Sequence, residues 1–376
     1  MKIIVGITAP LSIVLIKGQL KYFSDRGYEV YLLAPKEDVV IEFCEMENCT
    51  LLPVSIEREI SFFKDIASLM VIIKHFKKVK PDVVNVGTPK MGLLGMIAAY
   101  ITGVKNRIFT CRGFRYEHET GFKKLILIKL DKLVAKLSHK IICISASVKE
   151  RGISDGVFDS KKTILIGAGS SNGVNLNDFN RDKINNTEQW ACLEKYKIKD
   201  KFIYGFVGRI VDRKGVYELY DAFNKLYKEN NNIQLIIVGK INIEQVSDTS
   251  LLEKMENHPA ITLTGYTNEV PLYMSLFDVF VLPAWWEGFG NTLIQAAAMG
   301  LPVISTTGTG CRDAVKSGYN GTLIKPKSTD ELYFQMKRYY LGKELRNEHG
   351  NNGKEWAKQF DSEFIWSKLQ EIYEYR

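Results

Sequence analysis

The sequence predicts an α/β protein of two doubly wound, Rossmann-like domains, each built around a parallel sheet. Strand-like apolar runs alternate with helical segments from the N-terminus onward, which is the pattern of βαβ units. The alternation pauses at a stretch rich in glycine, serine and asparagine over residues 167–180, and then restarts. A chain of 376 residues also exceeds the size of one ordinary core, so two domains are expected.

The first half of the chain contains apolar runs with the length of buried strands. They are Lys2–Ile7, Tyr28–Leu33, Thr50–Val54, Asp82–Val86, Arg107–Cys111 and Lys140–Ile144. Two intervening segments have apolar residues at helical spacing: Val14–Arg26, which ends at Gly27, and Ile66–Val79, which ends before Pro81. Right-handed crossovers between parallel strands would place helices on both faces of the sheet.

The second half repeats this pattern after a polar helix predicted at Thr187–Lys195. Its strand-like runs are Phe202–Val207, Ile233–Val238, Ile261–Leu263, Val279–Leu282, Pro302–Thr306 and Thr322–Ile324. We therefore predict domains over residues 1–170 and 171–355, facing across a cleft. The tail from Lys354 to Arg376 is predicted to be helical and is rich in aromatic residues. Residues 356–376 are therefore expected to pack back onto the first domain.

Composition favours a soluble, cytoplasmic protein. The N-terminal apolar run MKIIVGI is too short for a secretory leader, and Met91–Thr102 falls short of the ~20 residues that span a bilayer. The six cysteines form no CxxC pair and show no zinc-finger spacing with histidine. We therefore expect reduced thiols, no metal and no cofactor.

The positive charge of the chain lies in its first half. Residues 1–170 hold 26 basic and 17 acidic residues, whereas the rest of the chain holds 25 and 26. A basic domain suits an anionic membrane, a lipid diphosphate or a nucleic acid. No nucleic-acid-binding motif accompanies the charge, so a nucleic-acid partner is not expected. The segment Phe122–Lys140 alternates apolar and basic residues; it is either a domain helix with solvated lysines or an element that lies on a membrane.

One stretch, Phe280–Gly310, combines two strands with two glycine-bearing loops. The EGFGN loop at Glu287–Asn291 precedes a short helix over Thr292–Met299, and Gly308-Thr309-Gly310 follows the next strand. In open α/β sheets such loops leave the carboxyl ends of strands, where ligands bind. A helix N-terminus suits phosphate, and the carboxylate of Glu287 suits sugar hydroxyls. This combination predicts a nucleotide-sugar site.

A second basic motif, GRIVDRKG, follows the first strand of the second domain. It places Arg209 and Lys214 where they can hold a diphosphate, since arginine offers two parallel hydrogen bonds and lysine a compact charge. The motif alone is also compatible with an exposed basic loop. Together with the EGFGN loop of the same sheet it predicts one converging phosphate site.

These motifs resemble those of the retaining glycosyltransferases of family 4, which have the GT-B fold. The resemblance rests on GRIVDRKG, GYTNEVPLYMSLFDVFVLP and EGFGNTLIQAAAMGLPVISTTGTGCRDAV, and less specifically on NGVNLNDF and KGQLKYFSDRGYEV. It is greatest for the branch that builds bacterial capsule, O-antigen and other surface glycans. The resemblance implies metal-independent transfer of a sugar from a nucleotide diphosphate, with the donor in the second domain and the acceptor in the first.

The resemblance also implies roles for individual residues. Arg209 and Lys214 would neutralise the donor diphosphate as it departs, and Glu287 would contact the hydroxyl groups of the donor sugar. These three are the predicted catalytic residues. The predicted donor-binding residues are Gly208, Tyr266, Thr267, Phe289, Gly290, Asn291, Thr292 and Gln295. Tyr266 and Thr267 lie where the family holds the base.

Two positions depart from the family pattern. The second glutamate of the E-x7-E signature is Gln295 here, which would hold the ribose diol less strongly because it lacks the charge. In the first domain, relatives carry a histidine after the strand Arg107–Cys111, where this chain has Arg112 and Arg115 with His118 displaced. Those three residues, with Lys17 and Gly18, are the predicted acceptor or cleft residues. The loop is also compatible with a solvated basic surface.

The predicted function is therefore that of a hexosyl- or N-acetylhexosaminyltransferase that uses a nucleotide-sugar, with UDP as the expected nucleotide. Its expected acceptor is a saccharide linked to a lipid diphosphate, reached at the inner face of the plasma membrane. A nucleotide-sugar epimerase on the same fold and a non-catalytic nucleotide-sugar-binding homologue are the alternatives.

Overall fold

The computed structural model describes residues 1–57, 61–170 and 172–375, and leaves the side chain of His118 undescribed. The chain divides into two compact units: Met1–Gly173 with Ser362–Arg376 (unit 1), and Val174–Asp361 (unit 2). The predicted boundaries lay at residues 170 and 355. Within the described ranges, no helix combines the length and the apolar character that crossing a membrane requires.

Unit 1 is built on a parallel sheet that has seven strands within the described residues. In spatial order they are β3-β2-β1-β4-β5-β6-β7. The strands are β1 (Lys2–Gly6), β2 (Glu29–Ala34), β3 (Thr50–Pro53), β4 (Val83–Val86), β5 (Asn106–Cys111), β6 (Lys140–Cys143) and β7 (Thr163–Leu165). The connecting helices are α1 (Gln19–Ser24), α2 (Asp38–Met46), α3 (Phe62–Val79), α4 (Pro89–Ile101), α5 (Gly121–Leu137) and α6 (Ala146–Ser154).

Helices cover both faces of this sheet. One core packs Ile72 of α3, Met91 of α4, Val134 of α5 and Val148 of α6 against one face. The other core packs α1 and α2 against the opposite face, together with Ile365 of the C-terminal helix α15 (Ser362–Glu374). The order of the strands explains the division, because right-handed crossovers from β1 toward β3 and from β3 toward β7 run in opposite directions.

Unit 2 is built on a second parallel sheet, whose strands in the described residues follow the order β10-β9-β8-β11-β12-β13. They are β8 (Phe202–Val207), β9 (Ile233–Val238), β10 (Ile261–Gly265), β11 (Val279–Val281), β12 (Val303–Thr306) and β13 (Gly321–Ile324). The helices are α7 (Asn186–Tyr196), α8 (Val216–Glu229), α9 (Ser250–Glu256), α10 (Val270–Ser275), α11 (Asn291–Ala298), α12 (Cys311–Ala314), α13 (Thr329–Leu341) and α14 (Lys343–Ala357).

Three local predictions differ from the structure. The helix expected over Val14–Arg26 is a 3-10 turn at Pro10–Leu15 followed by α1, because Gly18 has a left-handed backbone (φ 79°) between them. The short strand β7 was not predicted, since three residues show no clear alternation. The tail is two helices and not one, because the chain turns between Ala357 and Ser362.

Candidate active site

The loops after β8, β11 and β12 meet at the carboxyl edge of the unit 2 sheet. β8 lies between β9 and β11, and the crossovers on its two sides run in opposite directions. Such a reversal opens a crevice at the strand ends, which is where open α/β sheets bind ligands. The motif GRIVDRKG follows β8, and EGFGN follows β11.

Lys214 and Glu287 form an ion pair at this edge. The ammonium group of Lys214 contacts Oε1 of Glu287, and the two side chains are only 11% and 13% exposed. The Glu287 Oε1 atom is buried and has no partner with hydrogen-bond geometry, so the contact is an ion pair only. Arg213 adds a second cation, with its Nη1 atom 3.7 Å from Glu287 Oε1. Two predicted catalytic residues therefore lie in contact.

The two glycine-bearing loops pack backbone to backbone. The Glu287 N–H donates to the Thr309 carbonyl at 2.8 Å. A Cβ atom at Gly310 would overlap the Glu287 carbonyl oxygen, and one at Gly308 would overlap that of Trp285. Only glycine permits this close approach. The contact fixes the backbone that carries the Glu287 carboxylate.

Helix α11 begins directly after the EGFGN loop. Gly290 is its N-cap in a left-handed conformation (φ 75°), and Asn291 and Thr292 form the first turn, half-buried. Gln295 lies one turn further on and is also half-buried. The Phe289 ring points into the core and packs on Phe360, with ring centroids 5.3 Å apart. Only the backbone of Phe289 is therefore open to a ligand.

The remaining predicted donor residues lie along the same strand ends. Gly208 directly follows β8 and lies beside Lys214, and Arg209 comes next with an exposed side chain. Tyr266 and Thr267 follow β10 at the edge of the sheet. The Tyr266 hydroxyl donates to Asn268 Oδ1 at 2.8 Å, and Thr267 Oγ1 accepts the Glu269 N–H at 3.0 Å.

The residues predicted for the first domain are spread over two loops of unit 1. Lys17 and Gly18 lie between β1 and α1, where the Gly18 N–H donates to Glu47 Oε1 at 2.6 Å. That N–H is therefore occupied within unit 1. Arg112 follows β5 and is half-buried, whereas Arg115 opens a short 3-10 turn and is exposed. His118 closes that turn, but its side chain lies outside the described part of the chain.

Two residues that were not predicted complete the unit 2 site. Arg213 was missed although it directly precedes Lys214 in the motif. Glu218, in the first turn of α8, accepts a hydrogen bond from Trp285 Nε1 at 2.9 Å, and the Trp285 ring also lies 4.0 Å from the ammonium group of Lys327. Nothing in the sequence pattern pairs Glu218 with Trp285.

Among the described residues no group of three or more His, Cys, Asp or Glu side chains has the arrangement of a metal site.

Comparison with known proteins identifies the family of this chain. The model of glycosyl transferases group 1 matches residues 189–356, and the model of glycosyl transferase 4-like domains matches residues 7–145. The capsular polysaccharide biosynthesis glycosyltransferase CapM of Staphylococcus aureus is 32% identical over 98% of this chain and 95% of its own. This chain belongs to glycosyltransferase family 4.

A further relative and a solved structure extend the comparison of this family 4 glycosyltransferase. The UDP-Gal:alpha-D-GlcNAc-diphosphoundecaprenol alpha-1,3-galactosyltransferase of Escherichia coli is 31% identical over 75% of this chain and 72% of its own. The crystal structure of Anabaena Alr3699/HepE in complex with UDP and glucose has a TM-score of 0.82 at 16% identity, over 99% of this chain and 98% of that one. The likeness to that structure confirms the predicted GT-B fold.

Proposed function

We propose that this glycosyltransferase moves a hexosyl or N-acetylhexosaminyl group from a UDP-sugar to a lipid-diphosphate-linked saccharide, with retention, in the synthesis of a bacterial surface polysaccharide. The names of its relatives support the proposal. One is a capsular polysaccharide biosynthesis enzyme, and another names a UDP-sugar donor and a diphosphoundecaprenol-linked acceptor. The observation that carries the proposal is the Lys214–Glu287 pair at the switch point of the unit 2 sheet.

The chemistry of transfer calls for the groups that lie at this edge. As the bond from the anomeric carbon to the diphosphate breaks, negative charge grows on the leaving nucleotide. The cationic side chains of Arg209 and Lys214 would stabilise that charge. The Glu287 carboxylate accepts hydrogen bonds, so it would orient the sugar through its hydroxyl groups. The N–H groups in the first turn of α11 would add donors for phosphate oxygens.

The outer face of α3 supports contact with a membrane, which a lipid-linked acceptor requires. Phe62 and Phe63 are 71% and 83% exposed, and Ile66 and Met70 continue the exposed apolar face along the helix. The later turns expose basic residues, namely Lys74, Lys77 and Lys78. An apolar and cationic helix face binds at the surface of an anionic bilayer.

Helix α5, for which the sequence left open either a domain helix with solvated lysines or an element that lies on a membrane, shows the same arrangement. Phe122 and Leu125 are exposed in its first turns, followed by exposed lysines at 129, 132 and 136. Its other face is core, where Leu127 and Val134 are buried. Both α3 and α5 pack against α4, so they lie on the same face of the unit 1 sheet.

A transfer assay tests the proposed reaction. Purified protein is incubated with UDP-, GDP- and ADP-sugars and a short prenyl-diphosphate-linked saccharide, with and without EDTA. We expect a longer saccharide with one UDP-sugar, formed equally with EDTA, with the anomeric configuration of the donor retained in its NMR spectrum. Inverted product or loss of activity with EDTA would contradict the mechanism.

The same assay separates the alternatives. An epimerase would convert the donor to its stereoisomer without an acceptor. A non-catalytic homologue would bind the donor, as seen in a thermal shift, but would release no nucleotide. If the protein neither binds nor turns over any of the nucleotide-sugars, the enzyme proposal is wrong.

Vesicle flotation tests the membrane contact. We expect the protein to float with phosphatidylglycerol vesicles but not with phosphatidylcholine vesicles, and Phe62→Ser/Phe63→Ser to reduce the bound fraction about tenfold. Phe334→Ser removes an exposed phenylalanine of unit 2 and is the matched control. Equal flotation of both variants would assign the contact to another surface.

A further inference from the structure

The unit 1 sheet has a switch point of its own, between β1 and β4. The crossovers on the two sides of this strand pair run in opposite directions. Gly6 ends β1, and Gly87 follows β4 at the same edge. Arg112 follows β5 on the next strand over. This is the position at which an open parallel sheet receives a ligand.

The guanidinium of Arg112 lies across the end of β4. A Cβ atom at residue 87 would overlap Arg112 Nη1, so glycine is required there for the arginine to reach this position. The Arg112 Nε atom is buried and has no hydrogen-bond partner. The ion pairs of the described residues include none between a carboxylate and Arg112. An arginine held over the strand ends without a counter-ion is suited to an external anion.

The neighbours of Arg112 are neutral. The titratable groups that act on Arg112 are the Tyr373 hydroxyl and the Cys111 thiol. Burial raises the pKa of the hydroxyl well above 10 and also raises the pKa of the thiol, so both groups are uncharged at pH 7. Both ends of the Asn85 side chain are engaged by neutral groups, since its Oδ1 accepts from Thr110 Oγ1 at 2.8 Å and its Nδ2 donates to the Tyr373 hydroxyl at 2.7 Å. Nothing in this polar cluster offsets the positive charge.

Burial acts on the arginine itself. Loss of solvent lowers the pKa of Arg112 from 12.5 to about 10, so the group is still charged at pH 7 but carries a desolvation cost. An anion bound to the guanidinium would offset that cost. The buried amide of Gln19 lines the same cavity and adds two N–H donors.

The size of the cavity limits how a ligand binds. The cavity that Arg112, Gly6 and Gly87 help to line has a volume of about 10 Å³, which is room for about one water molecule. A phosphate group is larger than this, so it can meet only the outer edge of the guanidinium. The site therefore fits a terminal or bridging phosphoryl group presented from outside the sheet edge.

We propose that Arg112, seated over Gly87 at the switch point of unit 1, binds a phosphoryl group of a substrate. The identity of that substrate rests on the proposed function: it is the diphosphate of the lipid-linked acceptor or that of the nucleotide donor. Binding of the anion itself does not depend on the proposed function.

Calorimetric titration with inorganic pyrophosphate tests the site, with and without saturating UDP. We expect Arg112→Gln to weaken pyrophosphate binding at least tenfold and Arg112→Lys to restore part of it, because lysine keeps the charge but not the planar fork. Arg26→Gln removes an exposed cation of unit 1 and should leave binding unchanged. Binding that depends on Arg112 and persists with UDP assigns the acceptor diphosphate, and binding that UDP abolishes assigns the donor.

The result that overturns the site is pyrophosphate binding that is equal in wild type, Arg112→Gln and Arg112→Lys in both titrations. Thermal unfolding accompanies each variant as a check of folding. Pyrophosphate should raise the Tm of wild type, and it should raise that of Arg112→Gln less. If the transfer assay detects no product while pyrophosphate binding still depends on Arg112, the proposed function is wrong and the anion site is confirmed.

Discussion

The ammonium group of Lys214 pairs with the carboxylate of Glu287 at the carboxyl edge of the unit 2 sheet. One is predicted to bind a diphosphate and the other a sugar, yet in this structure each neutralises the other. Arg213 stands 3.7 Å from the same carboxylate. If Lys214 turns to a diphosphate, Arg213 remains as a cation beside Glu287 and can hold its carboxylate in place. If the pair binds the donor as proposed, its two charged groups already lie at the positions where the diphosphate and the sugar would need them.

A double-mutant cycle on Lys214→Ala and Glu287→Ala measures this pairing. Both side chains are largely buried, so breaking the pair leaves a charge poorly solvated, and we expect a coupling free energy of about 1–3 kcal/mol in chemical unfolding. The exposed pair Lys358–Glu355 is the control, and its coupling should stay below about 1 kcal/mol. Equal coupling in the two cycles would show that burial adds nothing to the Lys214–Glu287 pair.

Replacing Gln295 by glutamate should leave activity intact or lower the KM for the donor. Gln295 is half-buried on α11, one turn after Asn291. A carboxylate would accept hydrogen bonds from both ribose hydroxyls with charge assistance, a gain on the order of 1 kcal/mol. Steady-state kinetics with the donor varied would measure it, with Gln295→Ala as the variant expected to raise KM. A large loss of activity in Gln295→Glu would mean that the glutamine amide is required.

Asp131 on α5 should make unit 1 less stable as the pH rises toward neutrality. Burial raises the pKa of its carboxyl from 3.8 to about 7, partly offset by Arg115. The folded chain therefore binds more protons than the unfolded chain between these values. The free energy of unfolding therefore falls by about 2–4 kcal/mol as the pH rises from about 4 to 7, and it is level above pH 7. Asp131→Asn should flatten this profile in chemical unfolding at pH 5 and pH 8.

The control for that comparison is Asp330→Asn, which removes an exposed carboxylate of unit 2. Its unfolding profile should keep the pH dependence of the wild type. If Asp131→Asn also kept it between pH 5 and 8, the carboxyl of Asp131 would be solvated in solution.

The sequence predicted the two parallel sheets because period and composition act locally, and every predicted strand appears within a residue or two. It also found the loops of Glu287 and Lys214, since glycine and charge at strand ends are visible in the chain. It did not find that Glu47 binds the Gly18 N–H or that Glu218 binds Trp285, because these partners are distant in the chain and share no pattern. The sequence also did not predict the contact between Lys214 and Glu287. Both residues were predicted to bind the donor, and only the folded structure shows that they pair with each other.

Removing the hydroxyl of Tyr373 should destabilise unit 1 by about 1–3 kcal/mol. Tyr373 on α15 is buried, its ring stacks on Phe23 at 5.1 Å, and its oxygen accepts the Asn85 side-chain amide at 2.7 Å. Tyr373→Phe keeps the stacking but leaves a buried donor unpaired, which costs the desolvation of that group. Thermal unfolding measures the loss, and Tyr375→Phe at an exposed ring of the same chain end is the control. Equal Tm values for the two variants would mean that Asn85 finds another acceptor and that the hydroxyl does not anchor α15.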